Sequence, residues 1–407
     1  MRGTIPVEQP ALRRPFAPIE GLLLDCLRRV LSGEPAPRPL PAVRWDAFVH
    51  LAREEGVLQW FAQSPCLKAV LPSAVVDAAR RERIANAQRH LMLSSELLRL
   101  LAALREARVD ALPFKGVVSA VQLVGDASLR PSGDLDLIVR ECDFARARAL
   151  LMELGYELDA EYADALQRAF WNVRTQTIVD LHWGIPPVRP PFNHSVLWRH
   201  RAQVDVLGSH VATFDRDSAL GLAAVNCVKN YWNVSLRQVL DVVVPLRSME
   251  LEVWTRLRAR CRSIRCTRFL LASVRLSEAL LPGVLPRPIV VDAQNDPAVA
   301  PIVDEILQHL FRRSRRAGPP VFFATRKAYE AALDDRPAAR QREHLKRIVM
   351  PNARDRAFVP LPRALHFLYF VVRPIRLLLT SIERNPREPS RQRRPANDAR
   401  TDVADVS

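Results

Sequence analysis

Two aspartates stand two residues apart at the start of an alternating apolar run, in the stretch RPSGDLDLIV (130–139). Residues two apart in a strand lie on the same face, so Asp134 and Asp136 share one face and Leu135 and Leu137 occupy the other. Two like charges this close repel each other unless a cation compensates them. Because carboxylate oxygens are the ligands that Mg²⁺ prefers, the pair indicates a divalent metal site.

A second alternating run, RTQTIVDLHWGI (174–185), supplies a third acid. Asp180 and His182 share one face of this predicted strand. Three carboxylates from two strands predict a site for two Mg²⁺ ions, one activating an attacking hydroxyl and the other holding a triphosphate and its leaving pyrophosphate. We expect Asp134, Asp136 and Asp180 to be the metal ligands and the catalytic residues.

The phosphates of such a ligand need positive charge and close backbone approach. The segment DALPFKGVVSAVQLVG (110–125) predicts a strand that ends at Lys115-Gly116, followed by a helix whose N-terminus faces the anion. Lys115 adds a point charge, Gly116 allows close approach of the ligand, and Ser119 lies in the first turn. These three residues are therefore candidate triphosphate ligands.

Two further basic residues are candidates for phosphate binding. Arg130 precedes the first aspartate by four residues, and its guanidinium can hold a phosphate bidentately. Lys229, in a later helical segment, could also reach a phosphate, although an exposed helix lysine is the commoner case. In the same region Asp241 is expected to pair with Arg237, four residues earlier on one helix face.

The surrounding sequence is mainly helical. From residue 20 to residue 104 the apolar spacing is helical, and the last of these helices is expected to end near Ala107. Residues 109–185 alternate between helix and strand periodicity, and helical spacing returns over 217–248, 250–281 and 300–315. The predicted fold class is therefore α+β, with a small mixed sheet embedded in a mainly helical protein.

The chain has 407 residues with 48% apolar and 26% charged residues, a globular balance, and a formal net charge of +16. Almost all of the basic residues are arginine. This charge favours anionic partners, although a solvated basic surface explains most of it. The Arg-rich tail after Ser381 is expected to be disordered, and it lacks the interleaved aromatics of a nucleic-acid platform, so nucleic-acid binding is not favoured.

The six cysteines are scattered without a CxxC spacing, which indicates reduced, mostly buried thiols rather than a zinc site. The N-terminal stretch lacks the apolar core of a secretory signal, and no run of about 20 apolar residues occurs. These features predict a cytoplasmic protein. The apolar stretch at 365–379 is interrupted by Arg373 and Pro374 and predicts a packing helix; the alternative is a peripheral contact with a membrane surface.

Several of these motifs, in this order, resemble the uncharacterised nucleotidyltransferase family of bacteria, within the DNA polymerase β-like nucleotidyltransferase superfamily. The likeness extends over about residues 20–250, and more weakly over LYFVVRPIRLL. The matching positions are Lys115-Gly116, Arg130-Pro131, Gly133-Asp134-Leu135-Asp136, Gly155-Tyr156 and Asp180-Leu181-His182.

The resemblance implies a small nucleotidyltransferase palm with helical additions. It implies transfer of a nucleoside monophosphate from an NTP to a hydroxyl of a sugar, a protein or a small molecule, with two Mg²⁺ ions held by the three aspartates. The expected regions are 1–18 (disordered), 19–107 (helical), 108–215 (palm), 216–381 (helical) and 382–407 (disordered tail).

Two departures from the superfamily pattern favour an alternative. The better-known members carry Gly-Ser where this chain has Lys115-Gly116, and Asn226 and Asn230 stand near positions where the family often has histidine. A catalytically degenerate nucleotide-binding or scaffold protein of a polysaccharide- or peptide-modifying pathway would tolerate both changes. A glycosyltransferase DxD normally follows its apolar strand rather than preceding it, and the DLHxGN pattern of small-molecule kinases lacks its other motifs here.

Overall fold

The structure is a computed structural model that describes residues 15–35, 43–62, 64–158, 166–185, 192–312 and 320–334, together with 359, 368–370, 372 and 373. The chain forms two compact units, Met1–Asp335 and Arg336–Ser407. In the second unit the Tyr369 hydroxyl donates to the carbonyl oxygen of Val359. Some sequence predictions concern residues outside this set. They are the disorder of 382–407 and of most of 1–18, and the packing helix over most of 365–379.

The first unit begins with helices. They are α1 (Pro18–Ser32), α2 (Trp45–Glu54), a 3₁₀ turn (Leu58–Phe61), α3 (Pro65–Lys68) and the long α4 (Ser73–Glu106). The end of α4 confirms the helix boundary expected near Ala107. Its buried leucines, at 93, 97, 100 and 104, recur every three or four residues and form one apolar stripe.

Strands and short helices follow α4. They are β1 (Ala111–Pro113), α5 (Gly116–Ser119) with a π-helical continuation (Ala120–Val124), a 3₁₀ turn (Ala127–Leu129), β2 (Asp134–Val139), a 3₁₀ turn (Glu141–Asp143), α6 (Phe144–Glu153), β3 (Glu157–Leu158), β4 (Gln167–Asn172), β5 (Thr177–His182), α7 (His194–Arg199), β6 (Arg201–Val206) and β7 (Ser209–Phe214).

Within the described residues, β1 to β5 form one mixed sheet in the order β1-β2-β5-β4-β3, and β6 pairs with β7 in a separate hairpin. The central pair, β2 and β5, is parallel, and the other neighbours are antiparallel. One face of the sheet is apolar and packs on the leucine stripe of α4 and on α6, with Leu135, Leu137, Val179 and Leu181 in that core. The opposite face carries the acids.

The remaining helices belong to a second, larger core. They are α8 (Arg216–Val228), α9 (Leu236–Leu246), α10 (Leu251–Ile264), α11 (Thr267–Leu280), α12 (Arg287–Gln294), α13 (Val299–His309) and α14 (Arg326–Ala332). Leu112 and Ile138, on the acid-bearing face of the sheet, and Phe114, just after β1, join this core. The helices therefore cover the part of that face around Leu112 and Ile138.

The mixed sheet within a mainly helical chain confirms the predicted α+β class. Two features are not evident from the sequence pattern. They are β4, whose sequence QRAFWN does not alternate, and the β6–β7 hairpin, which turns at Leu207 and Gly208, both with positive φ. No helix among the described residues has the length and apolarity needed to cross a membrane.

Candidate active site

Three rows of side chains cross the acid-bearing face of the sheet. Residues that are Cα partners on neighbouring strands lie on the same face, so the register of β2, β5 and β4 defines the rows. They are Asp134–Ile178–Trp171, Asp136–Asp180–Ala169 and Ile138–His182–Gln167. The middle row places two of the three candidate ligands side by side, and Asp134 stands about 7 Å away along β2.

Asp136 is the most strongly bound acid of the site. Its Oδ1 accepts a hydrogen bond from Lys115 Nζ at 2.7 Å and lies 3.0 Å from Nε2 of the fully buried His182. Gln167 Nε2 donates to Asp180 Oδ2 at 3.3 Å. Asp136, Asp180 and His182 each offer one possible metal-ligand atom, and these three atoms lie within 4.8 Å of one another.

The local charges shift the pKa values of these groups in opposite directions. Burial, reinforced by the charges of Asp136 and Asp134, raises the pKa of Asp180 to about 7. Burial also acts to raise the pKa of Asp136, but Lys115 and the hydrogen bond with His182 outweigh it and hold that pKa well below its usual range. The two neighbouring acids therefore differ in protonation: Asp136 stays ionised, and Asp180 can exchange a proton near neutral pH.

His182 is neutral at pH 7, because burial and the charge of Lys115 lower its pKa to about 4. A neutral imidazole facing an ionised carboxylate donates, so we assign the proton to Nε2, toward Asp136. Its Nδ1 is buried without a hydrogen-bond partner among the described residues. His182 thus orients Asp136, a contact that strand alternation alone did not predict.

The Lys-Gly turn packs directly against the start of β2. Lys115 is the N-cap residue of α5, and Gly116 follows with φ +51°, a conformation that favours glycine. A Cβ at position 116 would lie 3.1 Å from the carbonyl oxygen of Asp134. The glycine therefore permits a close approach between the turn and the strand that carries the acids.

Gly116→Ala should accordingly destabilise the protein by about 2 to 3 kcal/mol, since it adds a steric contact to the backbone strain of positive φ. Gly125→Ala is the matched control, because Gly125 has φ +83° but no atom within 4 Å of the added Cβ. It should lose only about 1 kcal/mol. Urea unfolding measures both changes, and equal losses would contradict the close approach.

Arg130, expected to contact a phosphate, lies against protein acceptors in the structure. Its guanidinium is buried and forms a bidentate ion pair with Asp241 of α9, Nε–Oδ1 at 2.7 Å and Nη2–Oδ2 at 2.9 Å. Its Nη1 donates to the carbonyl oxygen of Gly116 at 3.2 Å and to Ser132 Oγ at 3.1 Å. Arg130 is thus bound by protein acceptors, and it replaces Arg237 as the ion-pair partner expected for Asp241.

Side chains from three other elements hold the segment before β2. Each donates to a residue between Asp126 and Gly133. The bonds are Gln59 to Leu129 O (2.6 Å), Arg83 to Ser128 Oγ and Asp126 Oδ2 (both 2.8 Å), Arg89 to Gly133 O (3.0 Å) and Arg237 to Pro131 O (2.8 Å). The approach to Asp134 is therefore fixed by α4, by the turn after α2 and by α9.

The last two candidates lie at helix ends. Ser119 is buried at the end of α5. Lys229 is the C-cap residue of α8, and burial and the charge of Lys115 lower its pKa to about 8, whereas Asp136 and Asp180 act to raise it. The charges of Asp136 and Asp180 thus act on the Lys229 ammonium.

Comparison with known proteins adds a family match. The family model described as "Uncharacterised nucleotidyltransferase" matches residues 41–282, more than half of the chain. Among solved structures, the chain resembles an antigenic nucleotidyltransferase-like protein from Paracoccidioides brasiliensis, with 14% identity, coverage of 51% of this chain and 95% of that chain, and a TM-score of 0.27. None of the curated proteins matches the chain significantly.

Proposed function

Because the chain belongs to the uncharacterised nucleotidyltransferase family, we propose that it transfers a nucleoside monophosphate from an NTP to a hydroxyl group of an acceptor. The observation that carries this proposal is the middle row, in which Asp136 and Asp180 are Cα partners on parallel strands. Lys115 lies at 2.7 Å from the first of these acids. Two adjacent carboxylates beside a cation suit a reaction that handles phosphate charge.

The donor set fits a hard divalent cation. One carboxylate oxygen of Asp136 and one of Asp180 lie within 4.8 Å of each other, and oxygen ligands suit Mg²⁺. We propose that Asp134, Asp136 and Asp180 hold two Mg²⁺ ions, with His182 orienting Asp136 through its hydrogen bond. Bound Mg²⁺ would neutralise phosphate charge and lower the pKa of the attacking hydroxyl.

The protein's own groups would perform the proton transfer and the positioning. Asp180 would accept the proton of the acceptor hydroxyl at a carboxylate oxygen. Lys115 and Lys229 supply positive charge for the triphosphate, and Gly116 and Ser119 shape the turn that receives it. Arg130, whose guanidinium is bound by Asp241 and donates to the Gly116 carbonyl oxygen, would hold the Lys-Gly turn in place.

A second candidate function rests on one contact. The Lys115 ammonium lies 2.7 Å from Asp136 Oδ1 and compensates its charge. A degenerate palm without a metal ion would use such a lysine to compensate the carboxylate. Such a protein would bind a nucleotide or a protein partner without turnover. The presence of Asn226 and Asn230 near positions where the family often has histidine agrees with this alternative.

Pyrophosphate release separates the two functions. The purified full chain is incubated with ATP, GTP, CTP or UTP, with Mg²⁺ or EDTA, and with protein and small-molecule fractions of a lysate as acceptor sources. We expect Mg²⁺-dependent release with at least one NTP, and a thermal shift with that NTP and Mg²⁺. The absence of both pyrophosphate release and a thermal shift would favour the scaffold and reject the enzyme.

A further inference from the structure

The outer row of the acid-bearing face carries an apolar surface that the catalytic proposal does not use. Trp171 of β4 and Ile178 of β5 are Cα partners, and Ile178 also pairs with Asp134. Ile178 is 37% exposed and the Trp171 side chain is partly exposed, although the inner part of this face is buried under helices. Glu157 of β3 pairs with Trp171 and extends the row to the sheet edge.

This surface lies on one defined side of the acids. Lys115 and Gly116, proposed to receive the triphosphate, follow β1, which pairs with β2. Trp171 and Ile178 lie on β4 and β5, on the other side of β2 in the strand order. The phosphate turn and the apolar surface therefore flank the carboxylates from opposite directions.

The chemistry of the transfer needs these two sides. In phosphoryl transfer the attacking and the leaving oxygens are roughly in line. The bond between the acceptor oxygen and the α-phosphorus forms as the bond from that phosphorus to the bridging oxygen breaks. The pyrophosphate leaves toward Lys115, and the hydroxyl proton passes to Asp180. The acceptor then approaches from the β5–β4 side, across Ile178 and Trp171.

We propose that Trp171 and Ile178 form the acceptor platform, and that the acceptor presents its hydroxyl on a sugar ring without phosphate or carboxylate groups. This inference rests on the proposed function and specifies its acceptor. An indole packs its flat face against the apolar C–H face of a ring. Glu157 stands at the edge of this row, where its exposed carboxylate can accept hydrogen bonds from hydroxyls and repel an anionic acceptor.

The other ring that could occupy the platform is the base of the NTP, since bases also stack on aromatic side chains. The two occupants differ in what a platform variant changes. Loss of the acceptor platform weakens binding of the sugar and leaves binding of the nucleotide intact. Loss of a base platform weakens binding of the nucleotide itself.

The binding test uses saturation-transfer NMR on the full chain with Mg²⁺ and a non-hydrolysable NTP. The probes are methyl glucoside, methyl mannoside and glucosamine, with glycerol as a polyol that has no ring. We expect saturation of the ring protons with wild type, a loss of at least tenfold in Trp171→Ala, and recovery to within about threefold in Trp171→Phe. Leu158→Ala is the matched control, because Leu158 is 42% exposed on the opposite face.

The outcomes distinguish the platform from the reaction. No ring saturation in wild type, or equal saturation in Trp171→Ala, overturns the platform. A tenfold weaker NTP affinity in Trp171→Ala, measured by thermal shift, reassigns it to the base and also overturns the proposal. Sugar binding that depends on Trp171, without pyrophosphate release, would support the platform and reject the proposed transfer.

Discussion

Asp180→Asn is expected to lower Mg²⁺-dependent pyrophosphate release by about 10³-fold or more, with Asp136→Asn equally impaired. Each change keeps the size of the side chain and removes the charge that would bind Mg²⁺. Asp77→Asn, at an exposed position of α4 where the carboxylate pairs with Arg80, is the matched control and should keep full activity. Initial rates with the preferred NTP measure the effect.

Stability separates Asp180→Asn from a folding defect. The folded-state pKa of about 7 lies above the unfolded value, so Asp180 contributes stability below the unfolded pKa that is lost as the pH rises through 7. Without Mg²⁺, Asp180→Asn should therefore be at least as stable as wild type at pH 8, and this advantage should shrink toward pH 5. An inactive variant that is less stable than wild type at pH 8 would contradict the charge repulsion at this site.

Asp241→Ala is expected to destabilise the protein by about 3 to 5 kcal/mol, since it leaves the buried guanidinium of Arg130 without its counter-ion. Asp110→Ala provides the matched control. Asp110 also forms a bidentate pair, with Arg201 at 3.0 and 2.7 Å, but that pair is exposed and should contribute less than about 1 kcal/mol. Urea unfolding measures both, and equal losses would contradict the structural role of the buried pair.

The double variant Arg130→Met/Asp241→Leu tests whether the pair has a further role. Replacing both charges by apolar groups should recover much of the lost stability. Pyrophosphate release should nevertheless stay reduced at least tenfold, because the donor to the Gly116 carbonyl oxygen is gone and the Lys-Gly turn loses its tie to α9. Full recovery of activity together with stability would show that Arg130 has no positioning role.

Local patterns were enough to predict the two acidic strands. Asp134, Asp136 and Asp180 each stand in a run that alternates between polar and apolar residues, and the buried positions of β2 and β5 follow this alternation on their core-facing side. The helix before the sheet was equally visible, because its apolar residues recur at helical spacing over several turns. These signals depend only on neighbours along the chain.

The contacts that complete the site are not local. Arg130 binds Asp241 across 111 positions, and Arg237, four residues before Asp241 on the same helix, was the nearer candidate by spacing. Trp171 was not placed on the acid-bearing face because its strand lacks alternation and gains its position by pairing with β5. The packing of α9 brings Asp241 to Arg130, and the register of the sheet places Trp171.

The most direct test of the site is the binding of Mn²⁺, used in place of Mg²⁺ and followed by electron paramagnetic resonance. The full chain is titrated with a non-hydrolysable NTP present, as wild type and as Asp136→Asn/Asp180→Asn. We expect wild type to bind Mn²⁺ at least about 100-fold more tightly than the double variant, since two adjacent oxygen ligands are lost. Equal Mn²⁺ affinity in the two proteins would contradict a metal–nucleotide site at these carboxylates.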